Sequence, residues 1–322
     1  MKRNTTSVLA VLAAVAVAGC SGSDEKERDE ATTRDTPTAV ESIAVGAGPI
    51  SVAFGTNAVW VANFQGDTVS RVDPRTKVVV GTPIEVGNGP VSVATGLGAV
   101  WVANQYDGTV VRIDPGSGRV VGAPTPVGDR PVAVAVGAGA VWAYDSSDGA
   151  VLQIDPRMQR VVSTSVRVVP RAAGSFAGAG LTVAEGSVWV SSASTGTVVR
   201  IDARSNKPAG APIEVGGGPL GVSFAQGSVW VVSFDSGVVT RIEPLSSTVI
   251  ATVELGGQPT AVAGGTGTIW VADAVGTVSR IDPRSNIAVG EPIPVGGRPQ
   301  SVAFGEHAAW VVNLSTLVRI GR

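Results

Sequence analysis

At 322 residues the chain is long enough for one large domain or two ordinary ones. Hydrophobic residues make up 44% of it, aromatics only 5%, and Gly occupies 42 positions, so short runs of Val, Gly, Ala and Thr favour strands and turns over helices. Residues 41–322 hold 19 Lys and Arg against 20 Asp and Glu, a balance with no footprint for nucleic acid and no basic stripe for a membrane surface.

The chain opens with Lys2 and Arg3, followed by an apolar run from Val8 to Val17 and then Val17-Ala18-Gly19-Cys20. A short positive region, about ten apolar residues and small residues before a cut describe a secretory signal, too short to span a bilayer. The tetrapeptide resembles a bacterial lipobox. That resemblance implies cleavage before Cys20, acylation of its sulfur, and an exported body held to the membrane by lipid. Cys20 is the chain's one cysteine, so disulfides play no part in the fold. Residues 1–19 therefore read as a lipoprotein signal peptide. Residues 20–40, polar and acidic, read as a disordered tether with a root-mean-square reach of roughly 25 Å.

From residue 41 onward the sequence repeats. Its seven tryptophans are Trp60, Trp101, Trp142, Trp189, Trp230, Trp270 and Trp310, spaced by 41, 41, 47, 41, 40 and 40 residues. A period of 40–45 residues with four strand-like runs is the mark of a β-propeller blade. Strand a is of the SVAFG type, strand b AVWVAN, strand c TVSRVDP, and strand d runs from VVVG to IEVG. Three residues before each Trp stand Asn57, Gly98, Gly139, Gly186, Gly227, Gly267 and His307, residue types that a left-handed turn accepts. Asp73-Pro74 and its counterparts close strand c with a type I turn. Pro83, Pro124, Pro212 and Pro292 cannot donate to a ladder, which makes strand d the outer edge. The seventh copy lacks strand d, while Ile43–Pro49 matches Ile84–Pro90, so the N-terminal strand is expected to complete the last blade. The expected fold is all-β: a seven-bladed propeller of four-stranded blades over residues 41–322, monomeric.

GAVWVAN, TVVRIDP and PIEVGNGPVSVA resemble the YVTN-type propeller repeats of exported bacterial proteins, a group similar to NHL and streptogramin-lyase repeats. The resemblance covers residues 43–321 and implies architecture far more than activity. Streptogramin lyases use His with acidic residues and a divalent metal. Here His307 is the sole histidine and fills a turn slot, so that activity is not carried over.

Propeller geometry puts the b–c and d–a connections on one face and the a–b and c–d turns on the other. Ser51, Ser92, Ala133, Gly180, Gly221, Ala261 and Ser301 form a small-residue ring at the crowded axis. Arg71, Arg112, Gln153, Arg200, Arg241, Arg280 and Arg319 recur on strand c, where pairing with acids or carbonyls between blades is expected. Asn63, Asn104, Asp145, Ser192, Ser233, Asp273 and Asn313 end strand b; if they converged, several could offer oxygens to a Ca²⁺ ion. No GxSxG, HExxH, CxxC or phosphate-loop pattern occurs.

Departures from the repeat gather in blades 2 to 4: both tyrosines, the long connection 168–180, and VWAYDSSDGAVLQID in place of VWVAN and RID. They point to a b–c-face site built from Tyr106, Asp107, Arg130, Tyr144, Asp145, Asp148, Arg171 and Phe176. The reading is a binding module for a protein, glycan or small ligand, with no cofactor required. The alternative is a metal-dependent enzyme of the lactonase or lyase kind.

Overall fold

The computed structural model describes residues 39–163, 165–168 and 180–321. Cys20, Arg171 and Phe176 lie outside the described residues, as do nearly all of the 168–180 connection and of the expected signal and tether. Residues 37–322 form one compact unit. Among the described residues every regular element is a strand, and no helix is long and apolar enough to cross a membrane.

The seven copies form seven antiparallel sheets in the order a-b-c-d. In blade 2, strand a (Pro90–Gly96) pairs with b (Ala99–Asn104), b with c (Thr109–Asp114), and c with d. Strand b has a neighbour on either side and a packed blade over each face, so all six of its residues are buried in blades 1 to 5. That explains why AVWVAN is apolar up to its closing Asn rather than alternating.

The tryptophans join the blades. Trp60 lies among Val93, Val100, Val102 and Ile113 of blade 2, and the pattern recurs blade by blade. Trp310 of blade 7 meets Val52, Val59 and Val61 of blade 1, so seven cores serve seven interfaces and the ring has no gap. The turn slot before each Trp is left-handed in every copy, including Asn57 (φ 58°) and His307 (φ 57°).

Strand d departs from expectation. It is the edge of every sheet, but in most blades it breaks into two short pieces, such as Arg119–Val120 and Thr125–Pro126, both pairing with strand c. Blade 5 has an unbroken d strand, Thr248–Glu254, and its sequence TVIATVE lacks the Gly and Pro that interrupt most of its sisters. A missing N–H and a fixed φ at Pro83, Pro124, Pro212 and Pro292 interrupt the ladder in blades 1, 2, 4 and 6, whereas in blade 3 Arg160–Val161 and Val166–Arg167 stay separate although RVVSTSVR holds neither Gly nor Pro.

Closure also begins earlier than the sequence indicated. Ile43 pairs with Leu317 as Ile84 pairs with Val69, so the alignment of the two segments holds. The strand itself, however, is Ala39–Ile43 rather than Ile43–Pro49. Ala39 and Val40, assigned to the tether, pair with Gly321 and Ile320. Neither Gly nor Pro interrupts AVESI, and Glu41 is held by Lys77 of blade 1 at 2.7 Å and by Arg319 at 3.8 Å.

Candidate functional site: the b–c face

Backbone bonds fix this face. The residue after strand b donates to the d–a connection in copy after copy: Phe64 N to Gly48 O (2.8 Å), Gln105 N to Gly89 O (2.9 Å), Ser146 N to Arg130 O (3.0 Å) and Phe234 N to Gly218 O (2.9 Å). The b–c and d–a loops therefore form one surface, as expected, and the side chains just beyond this bond project from it.

On this surface Tyr106 is 67% exposed and meets half-buried Phe64 of the neighbouring blade, with ring centroids 5.5 Å apart and planes at 56°. Gly89 (φ 64°) lies beneath the pair, and a Cβ there would strike both rings. Asp107 accepts from Asn88 N (2.7 Å) and Asn88 Nδ2 (2.6 Å), while Asp67 accepts from Gly89 N (2.8 Å). The two carboxylates hold the connection between blades 1 and 2 and so fix the rings above it.

The apolar groups continue around the ring. Leu314 in blade 7 and Val275 in blade 6 are 42% and 64% exposed, and Phe234 in blade 5 is half-buried. With Phe64 and Tyr106 they make an arc over five consecutive blades. Blades 3 and 4 carry Ser146, Ser147, Ala193 and Ser194 at those positions. The surroundings are acidic: Asp67, Asp107, Asp129 and Asp235 are exposed in the loops, and Glu85, Glu214 and Glu254 stand at the adjoining ends of strand d. Arg130, Arg167 and Arg298 are the described cations there.

The blade 3 residues resolve differently from expectation. Tyr144 is not on the surface: it is 1% exposed, packed with Val151, Val166, Val188 and Val190 in the core between blades 3 and 4. Burial, and secondarily the charge of Asp145, raises its hydroxyl above the ordinary 10.0. Strand a of blade 4 (Leu181–Ala184) starts eight residues before its Trp, whereas strand a of blades 1, 2, 3 and 5 starts eleven before. The ring of Tyr144 packs into this interface against Leu181 and Val183, at the position where sister blades place Ala62, Ala103 or Ala272. Its irregularity is therefore a packing solution. Asp145 is also 1% exposed and accepts from Arg130 N (3.0 Å), Ser147 N (3.1 Å) and Ser147 Oγ (2.8 Å). Arg130 and Asp148 are half-buried and engaged. The structure thus keeps Tyr106 and Asp107 together and moves the aromatic centre to blades 1 and 2. Phe64 and Leu314, which lie outside the expected site, belong to it.

The residues ending strand b work as loop latches. Asn313 Nδ2 donates to Val295 O (3.1 Å) while its Oδ1 accepts from Ser315 N and Thr316 N (3.3 and 3.0 Å), and Asp273 accepts from Gln258 N and Val275 N. Asn63 and Asn104 donate to Ser70 Oγ (3.0 Å) and Val86 O (2.9 Å), leaving each Oδ1 buried without a partner. Among the described residues no three His, Cys, Asp or Glu side chains gather.

Two arginines of the series, Arg200 and Arg241, pair between blades, and the series does something the sequence reading missed. Arg200 donates to Ser247 Oγ (3.1 Å) and Leu245 O (3.2 Å) of the next blade, and Arg241 to Asn286 Oδ1 (3.0 Å). Each of five arginines also lies over the Trp of its own blade, at 5.1 to 5.9 Å from the ring centre. Cross-strand register explains this, since Trp60 faces Arg71 and Trp230 faces Arg241. The axial ring is crowded as read: a Cβ on Gly221 would come within 2.8 Å of Ala261 Cα. The serines there add bonds, with Val93 N donating to Ser51 Oγ and Val134 N to Ser92 Oγ.

These features define a seven-bladed β-propeller with one aromatic, acidic loop face. No family model and no curated protein sequence matches the chain. Among solved structures it is similar to streptogramin B lyase, with a TM-score of 0.73 and 15% identity over 88% of this chain and 97% of that one. Hydrazine synthase of Kuenenia stuttgartiensis gives 0.72 and 16%, covering 91% and 98%. A chain of a mitotic checkpoint complex gives 0.75 and 14%, covering 96% and 99%. At such identities the likeness shows the fold alone, one shared by enzymes and by a component of a protein assembly.

Proposed function

We propose that the protein is an exported, lipid-anchored propeller of the YVTN type that binds a partner through its b–c face. Of a protein, a glycan or a small ligand, the face fits best a protein surface bearing basic and apolar groups. The observation that carries this reading is the Phe64–Tyr106 pair. Its Tyr106 ring is held open to solvent against half-buried Phe64 among carboxylates, where blades 3 and 4 manage with Ser and Ala. Aromatic residues in a fixed setting are the usual anchors of interfaces, and loops on a rigid scaffold are where binding residues gather.

The test is a photoreactive phenylalanine analogue placed at position 106, and for comparison at Val78 on the opposite face, in the host cell. A defined protein adduct from position 106 that disappears with Phe64→Ala supports the reading. Equal adducts from both positions, or none from 106, overturn it. A second reading is a Ca²⁺-dependent enzyme of the lactonase or lyase kind. The unpartnered buried Oδ1 atoms of Asn63 and Asn104 favour it, because such oxygens suit a hard cation. Stoichiometric Ca²⁺ in the purified protein, lost with Asn104→Ala, would shift the balance to that reading.

A further inference from the structure

The face opposite the proposed binding surface has the reverse character. Each c–d turn opens with an acid that folds back onto its own backbone: Asp73 Oδ1 accepts from Arg75 N (2.8 Å), Asp155 Oδ1 from Arg157 N and Met158 N (2.8 Å each), and Asp282 Oδ1 from Arg284 N (2.9 Å). Two residues after that acid, at the apex, stand Arg75, Arg157, Arg204 and Arg284, all exposed, with Arg160 and Lys207 just beyond. The outermost charges of these turns are therefore cations. Glu185 and Glu306, in a–b turns, are the exposed acids of this face that do not cap a c–d turn.

Large apolar side chains project from the same turns. Leu245 is 75% exposed, Ile287 62%, Val78 59% and Met158 54%. They lie in four different blades, so no one of them can cover another. The chain also enters the body here: Ala39 pairs with Gly321, at the end of strand c on the c–d side. The segment that carries Cys20 thus leads into this face and not into the aromatic one.

We infer that the c–d face docks on an anionic phospholipid surface, its cations at the headgroups and its apolar tips at the acyl boundary, leaving the b–c face turned outward. Cations interspersed with exposed Leu, Ile and Met are the composition of an interfacial surface. A polybasic patch beside a lipid anchor supplies the second signal that firm attachment needs. The acidic face does not cancel the attraction. Strands of about six residues at roughly 3.3 Å each hold the two faces some 20 Å apart, and the Debye length at physiological salt is about 8 Å. The inference deepens the proposed function by orienting it, and it rests on that reading only for the anchor.

The experiment uses residues 37–322 without any lipid, since all seven blades, the closing strand and the seven cores lie within that unit. Sedimentation with large vesicles compares phosphatidylcholine alone with phosphatidylcholine plus phosphatidylglycerol, at low and high salt. Binding to the anionic vesicles that salt reverses is the expected result. Arg157→Glu with Arg160→Glu, Arg204→Glu and Lys207→Glu should weaken it by about tenfold or more, the corresponding Gln variants by less, and Leu245→Ser should weaken it independently of salt. Tyr106→Ala on the other face should leave it unchanged. Equal binding to both vesicle types, charge-reversed protein that binds like the parent, or retention on heparin or single-stranded DNA in preference to vesicles would each overturn the inference. Failure here leaves the cross-link at position 106 untouched, and failure of that cross-link leaves vesicle binding untouched.

Discussion

Tyr144 and Tyr106 are two residues of one type in adjacent blades, and the structure assigns them opposite duties that substitution can separate. Tyr144→Ala would empty a site that is 1% exposed and walled by Val151, Val166, Val188 and Val190. The strands on either side are pinned by their ladders, so the cavity cannot close by collapse. Truncating a buried large aromatic costs roughly 3–5 kcal/mol, and at about 2 °C per kcal/mol for a large domain the melting temperature should fall by roughly 6–10 °C. Tyr144→Phe keeps the ring and should cost about 1 kcal/mol or less. Tyr106→Ala removes a side chain that is 67% exposed and should move stability by no more than about 0.5 kcal/mol. Calorimetry on the three variants, paired with cross-linking at Phe64 in place of position 106, reads both properties. A Tyr144→Ala protein that melts with the parent would refute the packing assignment. So would a Tyr106→Ala protein that melts as low as Tyr144→Ala.

Three further predictions follow from the geometry. A chain beginning at residue 37 should melt like the full chain, whereas one beginning at 44 loses the five paired residues of the closing strand and the burial of Ile43, worth about 2 kcal/mol by itself, and exposes an open edge; equal melting curves would show that the ring closes another way. His307 holds a left-handed φ of 57° that is Gly in five sister turns, so His307→Gly should stabilise by up to about 1 kcal/mol and leave binding unchanged; destabilisation by denaturant titration would contradict this. Backbone N–H donors hold the carboxyls of Asp73, Asp114, Asp155 and Asp202 below the ordinary 3.8. Folded values below unfolded ones give stability that is complete above pH of about 4 and lost as pH falls through the lowered values; a melting temperature measured from pH 7 downward should therefore stay level and then drop, and Asp114→Asn should shrink the drop.

Much of the fold is legible because the repeat encodes its own architecture. Seven tryptophans at nearly equal spacing fix the blade number, since each must fill one interface. The Gly, Asn or His slot fixes the a–b turn, since only a left-handed residue closes it. What the repeat could not announce was the extent of strand d. Gly and Pro interrupt the run in blades 1, 2, 4 and 6, TVIATVE in blade 5 and AVESI at the N-terminus escape that interruption, and RVVSTSVR in blade 3 breaks without either. The candidate site was legible by half. Tyr106 and Asp107 lie where loop position put them. Tyr144 does not, because the same parity that turns Trp142 toward blade 4 turns residue 144 there as well. A rare residue in a repeat reads equally as a ligand contact or as a filler, and only the burial of Tyr144 between blades 3 and 4 decides between them.

The division of charge was hidden for a different reason, and it changes what near neutrality excludes. An antiparallel blade sends the chain from one face to the other with every strand, so residues ten apart in sequence emerge on opposite sides. Asp67 of blade 1 stands on the b–c face and Arg75, eight positions later, on the c–d face. Summed along the chain such charges cancel, and composition alone reads as a body with no electrostatic character. Separated by a strand length greater than the screening distance, they do not cancel in space. The same alternation places the entry of the N-terminal segment on the cationic side and the Phe64–Tyr106 pair on the acidic side, because Ala39 and Tyr106 lie at opposite ends of their blades. A chain of balanced composition thus presents two unlike surfaces, which its total charge does not describe.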